Sequence, residues 1–465
     1  PGIGGETSDN PYMPLFAIFM AVWAIYFRAG WQQLEMTYQL DWGIQEWEEE
    51  EEDRHAFINN NKTYKRLNRI TQSEEYYPDP IWRNLFLVVS FLVTVAMIAG
   101  SIFVHISIEA TKSGIAQLVG WGADAVLPKV MSCIFQASSI LVLRWLADIV
   151  FTKLCDLENW QKESEYQAAM ISKKFCFGFV NSYFPIYFVG FMANHIRPFG
   201  VDVSCHEGRC LDYMTMMIAI IYIQNVLTRY FLIYVWPSIK DWWDNRDGSS
   251  VQPQAETNDE PMEEGEDEAN ETKTVLREKD LDEFEGADDQ YTEKFFHLGY
   301  VMLFGAAFPL LTFLSLLNNL MDLRSLASTV MTLYKRPTYK CAKDIGSWMT
   351  ILDIFVIMSI VSQCCFLAFT SNGLYYYFPD MNNVQKTFYA VVIEHILLLL
   401  KVMVDSSYAE LPAAVTEEFE RRDKERDELV AEYDKFNPEE DVIFYTDDDG
   451  HVELGAKHSG GKDKK

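Results

Sequence analysis

The chain has 465 residues, 49% of them apolar, a formal net charge of −29 and a mean hydropathy of −0.07. Such an acid excess excludes the basic stripe that a nucleic-acid partner requires. The near-zero hydropathy is an average of two populations, long apolar segments and charged loops. Much of the negative charge sits in Glu46–Asp53 and in the stretch from Glu256 to Asp289. Blocks of like charge stay solvated, so both are expected to be flexible cytosolic segments. The first residue is proline and no signal-peptide layout follows it, so the chain is read as a portion lacking its native start.

A helix needs about 20 mainly apolar residues to cross the hydrocarbon core. In chain order the candidates run over about 12–28, 82–108, 127–151, 175–193, 211–236, 294–309, 310–327, 347–370 and 385–404. His105, Arg144 and Asn181 interrupt three of them and are expected to face the bundle interior or a wet groove, because lipid cannot solvate them. Arg54, Lys62, Lys65, Arg66 and Arg69 place the 29–81 loop in the cytosol, and Lys335, Arg336, Lys340 and Lys343 do the same for 328–346. Alternation then sets 193–210 and 371–384 outside, with the C-terminus inside. Residues 1–10 become an exoplasmic lead-in and 11–412 the membrane domain. The acidic linker 241–290 is expected to be disordered.

Segments 294–309 and 310–327 are short, and Pro309 stands where a helix would break. A hairpin that climbs and descends about 20 Å returns Glu293 and Asp322 to a similar depth. Two carboxylates inside a membrane require a cation or a proton. After the last span, 413–436 is dense in alternating charge and reads as a solvated cytosolic helix with i,i+4 pairs. The tail 437–465 is expected to be disordered.

Four stretches, in order, carry a resemblance: FAIFMAVWAIYFRAGWQQLEMTYQLDW before the first acid run; LENWQKESEYQ with FVNSYFPIYFVGF; Cys205–Leu211 followed by Pro237, Trp242 and Trp243; and GYVMLFGAAFPLLTFLSLLNN with KRPTYKCAKDIGSW, from Gly299 to Trp348. Together they resemble the membrane domain of the anoctamins, calcium-activated lipid scramblases and chloride channels, over about residues 10–425. The resemblance implies an all-α integral membrane protein, a ten-helix homodimeric protomer of which nine segments are present. The cytosolic N-terminal domain and first helix would be missing. It implies a lipid-facing groove walled by 82–108, 127–151, 175–193, 211–236 and 294–309, and a dimer contact through 385–404. Phospholipids and chloride or other small ions are the implied partners, and the plasma membrane or endoplasmic reticulum the implied location.

The resemblance also implies calcium held by carboxylates from three helices, since hard cations take oxygen ligands. Matched residue by residue, the pattern before the GYV motif gives Gln290 and Glu293, and the pattern after Asn318 and Asn319 gives Asp322 and Leu326. On 211–236 one register places Arg229 and Ile233 there, and a rival gives Asn225 and Arg229; residues 213–240 contain no Asp or Glu in either. Two acidic ligands are few for an ion that takes six to eight oxygens. Three readings stay open. Arg229 is a substitute cation paired with Glu293 and Asp322, or it snorkels to headgroups, or weak calcium binding survives with help from Asp288 or Asp289. A peripheral calcium site would keep Asp405 and Glu410, with Ala29 where the resemblance expects an acid.

Groove candidates are Arg144, Asn181, Gln224 and Thr228. Cys205 and Cys210 share a short polar loop and are candidates for a disulfide if it faces outside; the other six cysteines lie in or beside apolar segments. Asn61-Lys62-Thr63 and Asn270-Glu271-Thr272 match glycosylation sequons on the side expected to be cytosolic. No nucleophile, phosphate loop or catalytic dyad is visible, so no enzyme is expected. Three functions compete: lipid scrambling with ion leak, an anion channel, and a non-transporting membrane tether.

Overall fold

The computed structural model describes residues 11–42, 44, 53–67, 74–119, 126–205, 210–236, 238–239, 242–243, 279, 281, 284, 287–332, 334–336, 344–371, 373–408, 413–436, 442–446 and 452–456. Glu410, most of both acid runs and residues 1–10 lie outside them, so the expectations made for those segments do too.

Every expected span is a helix, and most run beyond the apolar window because polar turns at the ends continue the hydrogen-bonding. They are α1 (Met13–Trp42), α3 (Pro80–Val119), α4 (Val126–Glu158), α5 (Glu163–Tyr187), α6 (Cys210–Tyr230), α7 (Asp288–Phe304), α8 (Leu310–Thr332), α9 (Ser347–Cys365) and α11 (Asn383–Tyr408). A short α2 (His55–Ile58), α10 (Gly373–Tyr377) and the charged α12 (Ala413–Phe436) complete the helices. Seven are long and apolar enough to cross a membrane; α7 and α8 are not among them. α5, α6 and α9 each relax into a wider five-residue turn at the C-terminal end, Phe188–Met192, Phe231–Val235 and Phe366–Thr370.

Two antiparallel hairpins were not foreseen. β1 (Thr63–Leu67) pairs with β2 (Glu74–Pro78) just before α3. β3 (Val442–Thr446) pairs with β4 (Val452–Ala456) inside the tail expected to be disordered. The unbroken run Val442-Ile443-Phe444-Tyr445-Thr446 carries the β preference that a reading by charge and glycine overlooked.

The break at Pro309 leaves α7 ending at Phe304, and Met302 O and Leu303 O are left without a backbone partner among the described residues. Non-helical backbone at membrane depth survives only if protein satisfies it. α9 does so: Ser359 Oγ donates to Met302 O at 2.7 Å, Ser362 Oγ to Leu303 O at 2.9 Å, and Gln363 Nε2 to Met302 O at 2.8 Å. Below this seam an aromatic core of Phe175, Phe179, Tyr183, Phe296, Tyr300 and Phe355 locks α5, α7 and α9 together. α7 is thus held against α5 and α9.

Candidate functional site

The polar ends of α7 and α8 meet α6 at one buried cluster. Arg229 is 7% exposed and Asp322 2% exposed, so neither is solvated by water. Arg229 Nη1 lies 3.0 Å from Glu293 Oε1 and 3.3 Å from Asp322 Oδ2, and Nη2 donates to Gln290 Oε1 at 3.2 Å. One guanidinium therefore ties α6 to both arms of the hairpin. A planar fork with several donors suits this task better than a point charge would.

Asp322 has further donors. Asn318 Nδ2 reaches Oδ2 at 2.9 Å, the Tyr230 hydroxyl reaches Oδ1 at 3.1 Å, and Lys294 Nζ forms an ion pair with Oδ2. Two cations thus face two carboxylates, which offsets part of the penalty that either sign would suffer alone when buried. Lys294, Tyr230 and Asn318 were missed as members of the cluster. A lysine directly after Glu293, at the start of a segment read as entering the membrane, was the available signal. Directly after Tyr230, α6 widens into the turn Phe231–Val235, a local change of pitch often found beside functional residues.

Calcium does not fit this arrangement. Both Asp322 oxygens already accept hydrogen bonds, Glu293 faces the guanidinium, and Gln290 Oε1 is taken by Arg229. Among the described residues, no three His, Cys, Asp or Glu side chains converge as a metal site. Of the peripheral pair only Asp405 is among the described residues, and basic side chains lie beside it. Arg28 Nε lies 2.9 Å from Asp353 Oδ1, and Lys401 Nζ bridges Asp353 at 3.3 Å and Asp405 at 2.5 Å. Ala29 is fully buried beside this pair of cations.

A cavity of about 360 Å³ adjoins the cluster between α4, α5, α6 and α7. Arg144, Asn225, Thr228, Arg229, Gln290 and Glu293 contribute to its wall. Asn225 therefore belongs to the cavity, and it makes no hydrogen bond to Glu293 or Asp322 among those described. Gln224 instead donates to Ser138 Oγ on α4 at 3.1 Å, stitching α6 to α4.

Asn181, expected in the groove, is away from the cavity and fully buried. Its Oδ1 accepts from Ser101 at 2.9 Å and lies 3.1 Å from His105 Nε2, while its Nδ2 donates to Ile140 O at 3.0 Å. An amide buried among three helices is held by such partners because lipid offers none. The same polar column continues outward to Glu109, 1% exposed, which accepts from Ser132 and Tyr213, both at 2.9 Å, and pairs with Lys112 at 2.5 Å. Cys205 and Cys210 form a disulfide with Cα atoms 5.2 Å apart.

Comparison with known proteins gives these features a context. The model of the family "Anoctamin: Calcium-activated chloride channel" matches residues 3–422. Human anoctamin-4 is 27% identical over 393 residues, covering 78% of this chain and 39% of the relative. Mouse anoctamin-3 is 26% identical over 411 residues (81% and 40%), and human anoctamin-7 is 26% identical over 399 (80% and 40%). The chain spans about two-fifths of the length of the curated relatives it matches. A family match across nearly the whole chain, carried by membrane helices in the expected order, makes this multi-pass membrane protein a member of the anoctamin family.

Proposed function

We propose that this chain moves phospholipid headgroups between leaflets along the face walled by α3 to α7, with ions passing beside them, and that Arg229 replaces calcium as the cation of the gate. The observation that carries the reading is the seat of Arg229, bonded to Glu293, Asp322 and Gln290 at 3.0–3.3 Å. A covalently attached cation cannot dissociate, so α6 stays docked on the α7–α8 hairpin at any calcium concentration. Polar Asn225 and Thr228, on a helix that also exposes Ile223, Leu227, Phe231 and Leu232, support a headgroup path beside lipid tails. A homodimer joined through α11 belongs to the same reading, supported by the exposed apolar Phe388, Ile396, Leu399 and Met403.

A second reading, an anion channel, is favoured by the cavity wall itself, where Arg144, Lys174 and Arg229 outnumber Asp148 and Glu293. Both are tested by reconstituting the protein in vesicles that report labelled-lipid exchange and chloride efflux together, with calcium or with chelator. Equal lipid exchange in the two conditions is expected. Strong calcium activation that disappears in Glu293→Gln would refute the fixed-cation gate. Chloride efflux with no lipid exchange would select the channel.

A further inference from the structure

A second polar cluster lies apart from the Arg229 site, where α3, α4 and α5 meet. His105 on α3 is 1% exposed, and both of its ring nitrogens face oxygen. Nδ1 lies 2.6 Å from Gln136 Oε1, and Nε2 lies 3.1 Å from Asn181 Oδ1. Neither amide can be turned round. Gln136 Nε2 donates to His105 O at 3.0 Å and to Glu109 Oε1 at 3.4 Å, and Asn181 Nδ2 donates to Ile140 O at 3.0 Å. A flip would set oxygen against oxygen at each of them. Ser139 Oγ, 3.5 Å from Nδ1, has its hydrogen on Gln136 O at 2.8 Å and presents a lone pair as well. A neutral imidazole owns one N–H, so one nitrogen would meet its acceptor with no hydrogen between them; the doubly protonated ring satisfies both. Burial opposes a charged ring. The two acceptors and a nearby carboxylate offset that cost: Glu109, one turn along α3 and 1% exposed, shares Gln136 with His105. The other charged and titratable groups of the cluster are Lys112 on α3, which pairs with Glu109, Tyr213 on α6, which donates to it at 2.9 Å, and Cys133 on α4.

We propose that His105 is a proton-binding site inside the α3–α4–α5 wall: a second proton on the ring completes the hydrogen bonds to Gln136 on α4 and Asn181 on α5, and its loss loosens α3 from both. Hydrogen bonds from a charged donor are stronger than neutral ones. Gln136 and Asn181 are fully buried, so when the proton leaves, neither water nor lipid replaces the missing donor. These partners exist only in the folded chain. The charged ring therefore contributes stability at acid pH, and that contribution is lost as the pH rises through the titration of the ring in the folded protein. α3 runs outward from the cytosolic loop, so Glu109 and then Lys112, whose side chain is 14% exposed, lie between His105 and the exoplasmic face, the side from which the proton enters. Proton binding requires neither transport nor a gate; only its effect on the groove, of which α3, α4 and α5 are walls, rests on the transport reading.

The test is solid-state nitrogen NMR on the full chain, labelled in its histidine ring nitrogens and reconstituted in vesicles, as the pH is raised from about 6 to about 8.5. The His105 signal, identified among the eight histidines by its absence in His105→Gln, is expected to show protons on both nitrogens at the acid end and to lose one toward the alkaline end. Glu109→Gln, which removes the counter-charge, is expected to weaken proton binding at this ring on the order of tenfold, about one pH unit. Asn181→Asp, which sets a carboxylate against Nε2, is expected to strengthen it by a similar factor. These opposed shifts single out the His105 signal even where His105→Gln does not fold. The thermal unfolding midpoint reads the consequence: it is expected to fall by several degrees across the same pH range in the unaltered chain, and by less in His105→Gln. A His105 ring with one bare nitrogen at about pH 6, or a titration that moves in neither Glu109→Gln nor Asn181→Asp, would overturn the proposal. So would a midpoint that varies equally with pH in His105→Gln and in the unaltered chain. The transport reading fails separately, in the vesicle flux assay, whatever this ring carries.

Discussion

Arg229→Gln is expected to lower the thermal unfolding midpoint sharply in the absence of calcium, and to make that midpoint calcium-sensitive. The substitution leaves Glu293, 25% exposed, without its only cation within ion-pairing distance among those described. Asp322 keeps Lys294, Asn318 and Tyr230, so its loss is smaller. Breaking a buried ion pair from one side costs about 3–5 kcal/mol, and partial exposure of Glu293 places this case near the lower end. The released oxygens of Glu293 and Gln290, together with the new amide, would then offer a cation several ligands at one place. Millimolar calcium should therefore restore part of the midpoint in Arg229→Gln and none in the unaltered chain. Lys294 remains on Asp322 and keeps the rescue incomplete. Differential scanning fluorimetry in detergent, with calcium and with chelator, reads both effects. A calcium-induced rise in the unaltered protein, equal to that in the variant, would remove the case for Arg229 as the resident cation.

Gly299→Val is expected to be the most damaging single substitution outside the cluster. Gly299 lies on α7 where it crosses α5 and α9, and a Cβ there would overlap the Tyr183 hydroxyl and come within 2.5 Å of the Phe355 ring. Both neighbours are fully buried and cannot swing aside. The Tyr183 hydroxyl would also lose Phe296 O, to which it donates at 2.9 Å. Overpacking costs about 1–3 kcal/mol or more, and stranding a buried hydroxyl adds about 1–3 kcal/mol. Together these exceed what many membrane-domain packings would tolerate, so monodisperse yield on size exclusion should collapse. Gly100→Ala on α3 is the control. Nothing lies within 4 Å of its added Cβ, and replacing a mid-helix glycine gains up to about 1 kcal/mol. Equal behaviour of the two variants would mean that the α5–α7–α9 seam is looser than these contacts require.

The nine helices were legible along the chain because each signal is local. Twenty apolar residues need no knowledge of their neighbours to be a span, and Pro309 ends a helix wherever it sits. The return of Glu293 and Asp322 to one depth followed from helix rise alone. The same locality left other questions open. Asn181 was expected in the bundle interior or a wet groove, because polarity within a span shows that a side chain avoids lipid, without showing whether it avoids it into water or into another helix. Its partners, Ser101, His105 and Ile140, lie 80, 76 and 41 residues away. The pairing of Arg28 with Asp353 was hidden for the same reason, since the two lie 325 residues apart.

Hydropathy, proline placement and the order of four motifs were enough to establish a broken-helix membrane domain of this family with no acid over residues 213–240. Which charge answers which was left to the packing. Arg229 and Asp322 are separated by 93 residues, and Lys294 reaches Asp322 across 28. Arg144 ends without a carboxylate although Asp148 lies one turn further along the same helix, because Asp148 pairs with Lys174 on α5. Composition counts charges, but a low-dielectric interior makes their energies depend on separations of a few ångströms, and those are set only when helices distant in the chain come to rest against one another.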